Sequence, residues 1–185
     1  NLLKDVDEIL VGGKMAFSFI AATGKNVGDV EIEGSAIKIA SHLLEEADKN
    51  KVKITLPKDF VTIDNASGDW GITLLENMTI NDCGMDIGPE TCMIFEDIIA
   101  NAQTILWNGP MGVFEIDAFS AGTVAMANAI AKCQGRTVVG GGDSVAAVNK
   151  IGVSEKITHI STGGGASLEF LAGNALPGVS ALPDA

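Results

Sequence analysis

Short apolar runs rich in β-branched residues alternate along this chain with longer stretches whose apolar positions recur at helical spacing. Such runs are typical of buried strands, and such stripes are typical of helices with one face on a core. The strand-like runs lie at 8–11, 53–56, 60–63, 104–107, 137–139 and 158–160. The helical stretches lie at 15–22, 35–49, 89–101 and 120–131, with further helix starts after 142 and 165. The alternation predicts an α/β fold, a Rossmann-like three-layer α/β/α arrangement with a mostly parallel sheet.

Residues 64–88 break this rhythm, because they contain turn residues and one strand-like run at 72–75 but no clear helix. We expect this stretch to carry function or to form a small addition to the sheet. We expect one α/β domain over residues 1–172 and a C-terminal tail over 173–185, which contains the irregular segment at 176–179. Because residues 2–6 look like the end of a helix, we expect the domain to be incomplete at its N-terminus and part of a longer polypeptide.

Four glycine clusters each follow a predicted strand, at 12–13, 109–112, 140–142 and 163–165. In parallel α/β sheets, ligands bind beyond the carboxyl ends of the strands. The clusters should therefore meet at one edge of the molecule, and this convergence predicts a single ligand site.

The chain is acidic, with a net charge of −12 from 12 Lys and Arg against 24 Asp and Glu. Nucleic acids and anionic membranes are bound through basic patches, so neither is an expected partner. Arg136 is the sole arginine, although tight phosphate recognition by side chains usually relies on guanidinium groups. A bound phosphate should therefore be held by backbone N–H groups and a metal ion. The three cysteines show no C-x-x-C spacing and are expected to be reduced thiols.

The stretch 140–144, Gly-Gly-Gly-Asp-Ser, places bare backbone N–H groups at the positive start of a helix. Asp143 inside this turn would repel a free phosphate but suits one that arrives with Mg²⁺. Two plainer interpretations stay open: the glycines serve only a tight turn, and Asp143 with Ser144 only caps the helix. Neither a G-x-x-x-x-G-K-[ST] loop nor a G-x-G-x-x-G fingerprint occurs, which disfavours a dinucleotide-dependent dehydrogenase.

Five motifs in order resemble those of the phosphoglycerate kinase family, and the likeness covers essentially the whole chain. They are the segments at 12–17 (GGKMAF), 86–91 (DIGPET), 107–115 (WNGPMGVFE), 140–144 (GGGDS) and 159–169 (HISTGGGASLE). The segment Leu176-Pro177-Gly178-Val179 matches the family's C-terminal region. The resemblance identifies the chain as the C-terminal, nucleotide-binding domain of such a kinase, incomplete at its N-terminus.

The resemblance also implies roles for particular residues. Asp143 would bind Mg²⁺ through the nucleotide phosphates, Glu115 would accept hydrogen bonds from the ribose, and Asn108 would approach the phosphates. The catalytic glycines, which would direct N–H groups at the transferred phosphoryl group, are Gly163, Gly164 and Gly165. The nucleotide-binding residues would be Gly12, Gly13, Gly84, Asn108, Val113, Glu115, Gly141, Gly142, Asp143 and Ser144. Ser144 replaces a threonine common in the family, and Lys14 replaces a residue that is often glycine.

The implied activity is Mg²⁺-dependent phosphoryl transfer between 1,3-bisphosphoglycerate and ADP, giving 3-phosphoglycerate and ATP. The family's glycine–lysine loop and its 3-phosphoglycerate-binding domain are absent, so we expect the fragment alone to be inactive. We expect a monomer in the full-length form, in the cytoplasm or alternatively in a plastid. The competing hypothesis is a non-catalytic, kinase-like domain that acts as a structural or assembly partner.

Overall fold

The computed structural model of the chain describes residues 2–182, apart from the side chain of Leu168; residues 183–185 of the expected tail lie outside it. Strands and helices alternate through most of the described part. The strands are β1 (Glu8–Leu10), β2 (Lys53–Thr55), β3 (Asp59–Asp64), β4 (Trp70–Leu74), β5 (Asp82–Ile87), β6 (Thr104–Asn108), β7 (Arg136–Gly140) and β8 (His159–Ile160). The helices are α1 (Gly13–Ala22), α2 (Gly34–Asn50), α3 (Pro89–Asn101), α4 (Ala121–Lys132), α5 (Gly142–Ile151), α6 (Gly165–Leu171) and α7 (Pro177–Ser180).

The strands form three sheets. β1 pairs with β2 in parallel, and β6, β7 and β8 form a second parallel sheet in that order. β3 lies between β4 and β5 in an antiparallel sheet. The α/β class and the mostly parallel pairing are therefore confirmed, and residues 64–88 do supply a sheet addition through β4 and β5.

Within residues 2–182, the buried apolar side chains form two hydrophobic cores. The larger core is built by α3, α4, α5, β6 and β7, and its fully buried members include Phe95, Met126 and Val139. The smaller core packs α1 and α2 against β3 around Ile20 and Phe60. Leu10 of β1 packs against the larger core, so the two cores are joined at the first strand.

The start of the helix α3 is fixed both by its own sequence and by a residue of another strand. Pro89 occupies the first turn, where its missing N–H costs nothing. The N–H groups of Glu90 and Thr91 donate to the carboxylate of Asp59, at 3.0 and 2.8 Å, so a residue on β3 supplies the cap.

The glycine clusters do converge at one edge. The Gly13 N–H donates to the Met111 carbonyl at 3.2 Å, and the Gly109 N–H donates to Ser144 Oγ at 2.6 Å. The Ser161 N–H donates to the Val139 carbonyl at 2.8 Å, which places the glycines at 163–165 beside those at 140–142. Within residues 2–182, no helix combines the length and the apolar character that crossing a bilayer requires.

Candidate functional site

A cleft of about 600 Å³ opens between the start of α1, β5 and the loop that follows β6. Four of the nucleotide-binding residues predicted from the sequence line this cleft: Gly13, Gly84, Val113 and Glu115. The other lining residues are Lys14, Phe17, Asp29, Val30, Glu31, Phe60, Cys83, Met85, Asp86, Pro110, Met111 and Gly112.

The inner wall of the cleft is flat and apolar. Phe17 of α1 stacks on Phe60 of β3, with ring centroids 4.7 Å apart and planes inclined by 26°. Gly84 of β5 lies directly against the Phe17 ring, and a Cβ on this glycine would overlap the ring atoms. The bare backbone of Gly84 therefore lets the Phe17 ring pack directly on β5, and the cleft gains an apolar wall of the kind that a planar heterocycle can lie against.

The loop after β6 forms the opposite wall and is held at several points. The Val113 N–H donates to the Met85 carbonyl of β5 at 3.0 Å. Lys150 Nζ, on α5, donates to the Phe114 carbonyl at 3.1 Å. These bonds place Val113 and Glu115, which are both exposed, at the mouth of the cleft.

The cleft carries more negative than positive charge. Lys14 is its only basic lining residue among those the structure describes, while Asp29, Glu31, Asp86 and Glu115 are acidic. A carboxylate at such a mouth can accept hydrogen bonds from neutral hydroxyl groups but repels phosphate. The cleft therefore suits the neutral, nucleoside part of a ligand.

Asp86 is the buried member of this acidic set, with 2% of its surface exposed. Its Oδ1 accepts the Ile87 N–H at 2.9 Å, and its Oδ2 accepts the Gly122 N–H of α4 at 2.7 Å. Burial raises the pKa of the Asp86 carboxyl from 3.8 to about 6, while the two backbone N–H groups act in the opposite direction. Desolvation dominates because both donors are neutral.

A second cluster lies at the carboxyl ends of β6 and β7. Gly141 has a φ of +86°, and a Cβ there would overlap Asn108 Oδ1, so glycine is required at this turn. The helix α5 begins at Gly142, directly after this turn. The N–H groups of its first turn have no acceptor within the helix. Ser144 is buried and receives the Gly109 N–H, whereas Asp143 and Asn108 are exposed. The cluster thus combines free donors with one exposed carboxylate and one amide.

The third cluster lies around Gly163, Gly164 and Gly165. The Gly163 N–H donates to Ser161 Oγ at 3.2 Å, and Ser161 Oγ is also hydrogen-bonded to Ser167 Oγ of α6. A Cβ on Gly163 would lie 2.7 Å from Ser167 Oγ, so the turn is closed by these two hydroxyls. Its catalytic role stays a prediction.

A divalent metal fits this site only together with a ligand. Among residues 2–182, no group of three or more His, Cys, Asp or Glu side chains could hold a metal ion. Asp143 offers a single exposed carboxylate beside the helix N-terminus. Mg²⁺ accepts one or two carboxylates together with phosphate and water oxygens, so Asp143 suits a metal that arrives with a nucleotide.

The structure divides the sequence-predicted residues into neighbouring groups. Gly12 does not line the cleft; a Cβ on it would overlap Met111 Sδ, so its role here is close packing. Asn108 and residues 141–144 lie at the adjacent turn, joined to the cleft through the loop 109–115. Sequence reasoning gave no role to Asp29, Glu31 or Asp86. Its sequence position did indicate a specific role for Asp86, since a carboxylate in a buried strand normally has a specific partner.

An α/β fold with a cleft beside a glycine turn at a helix N-terminus is typical of the class of α/β proteins that bind ligands beyond the carboxyl ends of their strands. The family model for phosphoglycerate kinase matches residues 1–174, and the chain belongs to that family. The phosphoglycerate kinase of Finegoldia magna is 49% identical over 186 residues, and that of a Roseiflexus species is 50% identical over 190 residues. In both cases the match covers 100% of this chain and 47% of the relative.

The solved structures agree. Phosphoglycerate kinase from Coxiella burnetii superposes with a TM-score of 0.90 at 39% identity, over 97% of this chain and 47% of that one. The chain thus spans about half the length of the relatives that it matches.

Proposed function

We propose that this chain is the nucleotide-binding half of a phosphoglycerate kinase. The whole enzyme would transfer a phosphoryl group between 1,3-bisphosphoglycerate and ADP in the presence of Mg²⁺, giving 3-phosphoglycerate and ATP. The observation that carries the proposal is the pairing of an acidic cleft, which has an apolar aromatic wall, with an adjacent donor-rich turn at Gly141–Ser144. A nucleoside and its phosphates require this pair of environments side by side.

The base would lie in the cleft between β5 at Gly84 and the loop at Val113. Glu115 would accept hydrogen bonds from the ribose hydroxyls at the mouth of the cleft. Asn108 would contact the phosphates as they leave the cleft along the loop. This assignment uses each group according to its charge, because the acidic cleft disfavours phosphate and the glycine turn attracts it.

Phosphoryl transfer requires little covalent chemistry and depends on in-line positioning and on dispersal of charge over the equatorial oxygens. The backbone N–H groups at the start of α5 would contribute donors to the nucleotide phosphates. Mg²⁺ near Asp143 would neutralise charge on the phosphates when bound. Gly163, Gly164 and Gly165 would contribute further N–H groups once a second domain closes over them.

The test is nucleotide binding measured by calorimetry with ADP, with and without Mg²⁺. We expect weak binding that Mg²⁺ strengthens, and we expect Asp143→Ala to remove the Mg²⁺-dependent gain while adenosine binding is retained. Gly142→Ala is not a suitable control because it lies in the same turn, so Asp97→Ala on the exposed side of α3 serves instead. An Asp143→Ala variant that keeps the full Mg²⁺ effect would refute the metal assignment.

The alternative, a non-catalytic domain that serves assembly, predicts no heat with ADP in either condition. The inactivity of the fragment is tested separately, by supplying 1,3-bisphosphoglycerate and ADP to this chain and measuring ATP. We expect no appreciable turnover, because the phosphoryl donor, 1,3-bisphosphoglycerate, is an anion that requires several basic contacts, whereas this chain has one arginine and a net charge of −12.

A further inference from the structure

Two buried aspartates lie on neighbouring strands, and each accepts N–H groups at the start of a helix. Asp59 on β3 accepts hydrogen bonds from the N–H groups of Glu90 and Thr91 of α3. Asp86 on β5 accepts one from the N–H group of Gly122 of α4. Both are almost fully buried, at 1% and 2% exposure. They differ in position, because Asp86 lines the cleft and Asp59 does not.

Asp86 is in contact with both elements that must stay together for the cleft to keep its shape. A Cβ on Gly112 of the loop would overlap the Asp86 carboxylate, and a Cβ on Gly122 of α4 would overlap it too. Two glycines thus allow the backbone of the loop and of the helix to pack directly on this carboxylate.

The helix α4 continues the connection through its next residue. Thr123 is fully buried, and its Oγ1 accepts the N–H groups of Met111 at 3.1 Å and of Gly112 at 3.4 Å. A chain of contacts therefore runs from β5 through Asp86 to α4, and from Thr123 back to the loop that carries Val113 and Glu115.

We propose that Asp86 is a positioning residue for nucleoside binding, which holds α4 against β5 so that the loop 109–115 keeps the cleft in its binding shape. The inference rests on the proposed function, since it concerns the same cleft. Both carboxylate oxygens accept backbone N–H groups, and an asparagine offers only one acceptor oxygen. Asp86→Asn therefore sets an NH₂ group against one of the two donors.

The charge state of Asp86 supplies a readout that a purely structural role would not share. Burial raises the pKa of its carboxyl to about 6, and the protonated form again loses one acceptor. Around it, Cys92 of α3 stays neutral because burial and nearby carboxylates raise the pKa of its thiol to about 12. Lys14 of α1 and Glu115 of the loop are the charged groups that line the same cleft along with Asp29 and Glu31.

The experiment is an adenosine titration, because adenosine carries no phosphate that titrates near neutral pH. We compare the unmodified chain, Asp86→Asn and the matched variant Asp59→Asn at pH 7.5. Asp86→Asn should raise the Kd about tenfold, the loss expected for one misplaced buried hydrogen bond. Asp59→Asn should leave the Kd within about twofold, because its helix does not border the cleft.

The pH profile gives the second arm. With a pKa of about 6, roughly a quarter of Asp86 is ionised at pH 5.5. Because the protonated form should bind about tenfold more weakly, like Asp86→Asn, the affinity of the unmodified chain should fall about threefold from pH 7.5. The affinity of Asp86→Asn should not show this step. If both variants lose affinity equally, or if Asp86→Asn binds as well as the unmodified chain, the inference is wrong.

The outcomes separate this inference from the proposed function. If the unmodified chain binds neither adenosine nor ADP, the proposed function fails before any variant is measured. If Asp86→Asn does not fold, Thr123→Val and Thr123→Ser test the same connection without a buried charge. Thr123→Val should weaken adenosine binding and Thr123→Ser should restore it, and unchanged binding by Thr123→Val contradicts the proposal.

Discussion

The unfavourable burial of Asp86 predicts a specific pH dependence of folding stability. The folded carboxyl, with a pKa of about 6, binds its proton more tightly than an unfolded aspartate with a pKa of 3.8. The contribution of Asp86 to stability is therefore greatest below pH 4 and is lost as the pH rises through 6. At 1.36 kcal/mol per pH unit, the full loss is about 3 kcal/mol.

Part of this range is experimentally accessible. The isoelectric point near 4.4 makes the chain least soluble around pH 4, so urea unfolding is best compared between pH 5 and pH 7. Over that interval, linkage predicts that Asp86 alone lowers the free energy of unfolding by about 1 kcal/mol.

Other groups titrate in the same range, so the quantity to measure is the difference between the unmodified chain and Asp86→Asn at each pH. Glu8 acts in the opposite direction, because its hydrogen bonds to Lys53 and Thr55 outweigh desolvation and lower its pKa, but it is present in both proteins. The difference should change by about 1 kcal/mol from pH 5 to pH 7 in favour of the variant. A difference that stays constant, or that changes in the opposite direction, would refute the reasoning about burial.

Two glycine substitutions test the geometry of the site. Gly84→Ala should destabilise the chain by about 1–3 kcal/mol and weaken adenosine binding, because the added Cβ overlaps the Phe17 ring. The control is Gly71→Ala in the same sheet, which should have neither effect because a Cβ there meets nothing within 4 Å. Gly141→Ala should cost about 1–3 kcal/mol, because φ is +86° and the Cβ overlaps Asn108. Gly142→Ala, in open space at the first helical position, should leave the free energy of unfolding in urea unchanged or raise it slightly. Equal losses of stability from the substitutions at 141 and 142 would contradict the strain argument.

Much of the fold was predictable because its signals are local. The apolar runs at 104–107 and 137–139 became the parallel pair β6 and β7, and Pro89 with its flanking residues opened α3. The convergence of the glycine clusters followed from the geometry of parallel sheets, and the contacts of Gly13 with Met111 and of Gly109 with Ser144 confirm it.

The antiparallel sheet was harder to predict. β4 exposes the large apolar side chains of Trp70 and Ile72, and β5 carries buried aspartates at 82 and 86, so neither shows the usual alternation of buried apolar and exposed polar positions. β4 pairs with β3 as a hairpin, with Trp70 opposite Ile63, but β5 pairs with β3 across a longer stretch of chain, with Ile87 opposite Phe60. A local pattern contains no information about such partners.

The sequence by itself determined the family, the α/β class and the positions of the glycine turns, because each depends on residue type and spacing. Only the tertiary structure decided which residues share the cleft and which lie at the neighbouring turn. It also decided the state of Asp86, since the pKa of a carboxyl depends on the water that neighbouring backbone excludes. Gly112 and Gly122 exclude that water, and each is brought to Asp86 from at least 26 residues away along the chain.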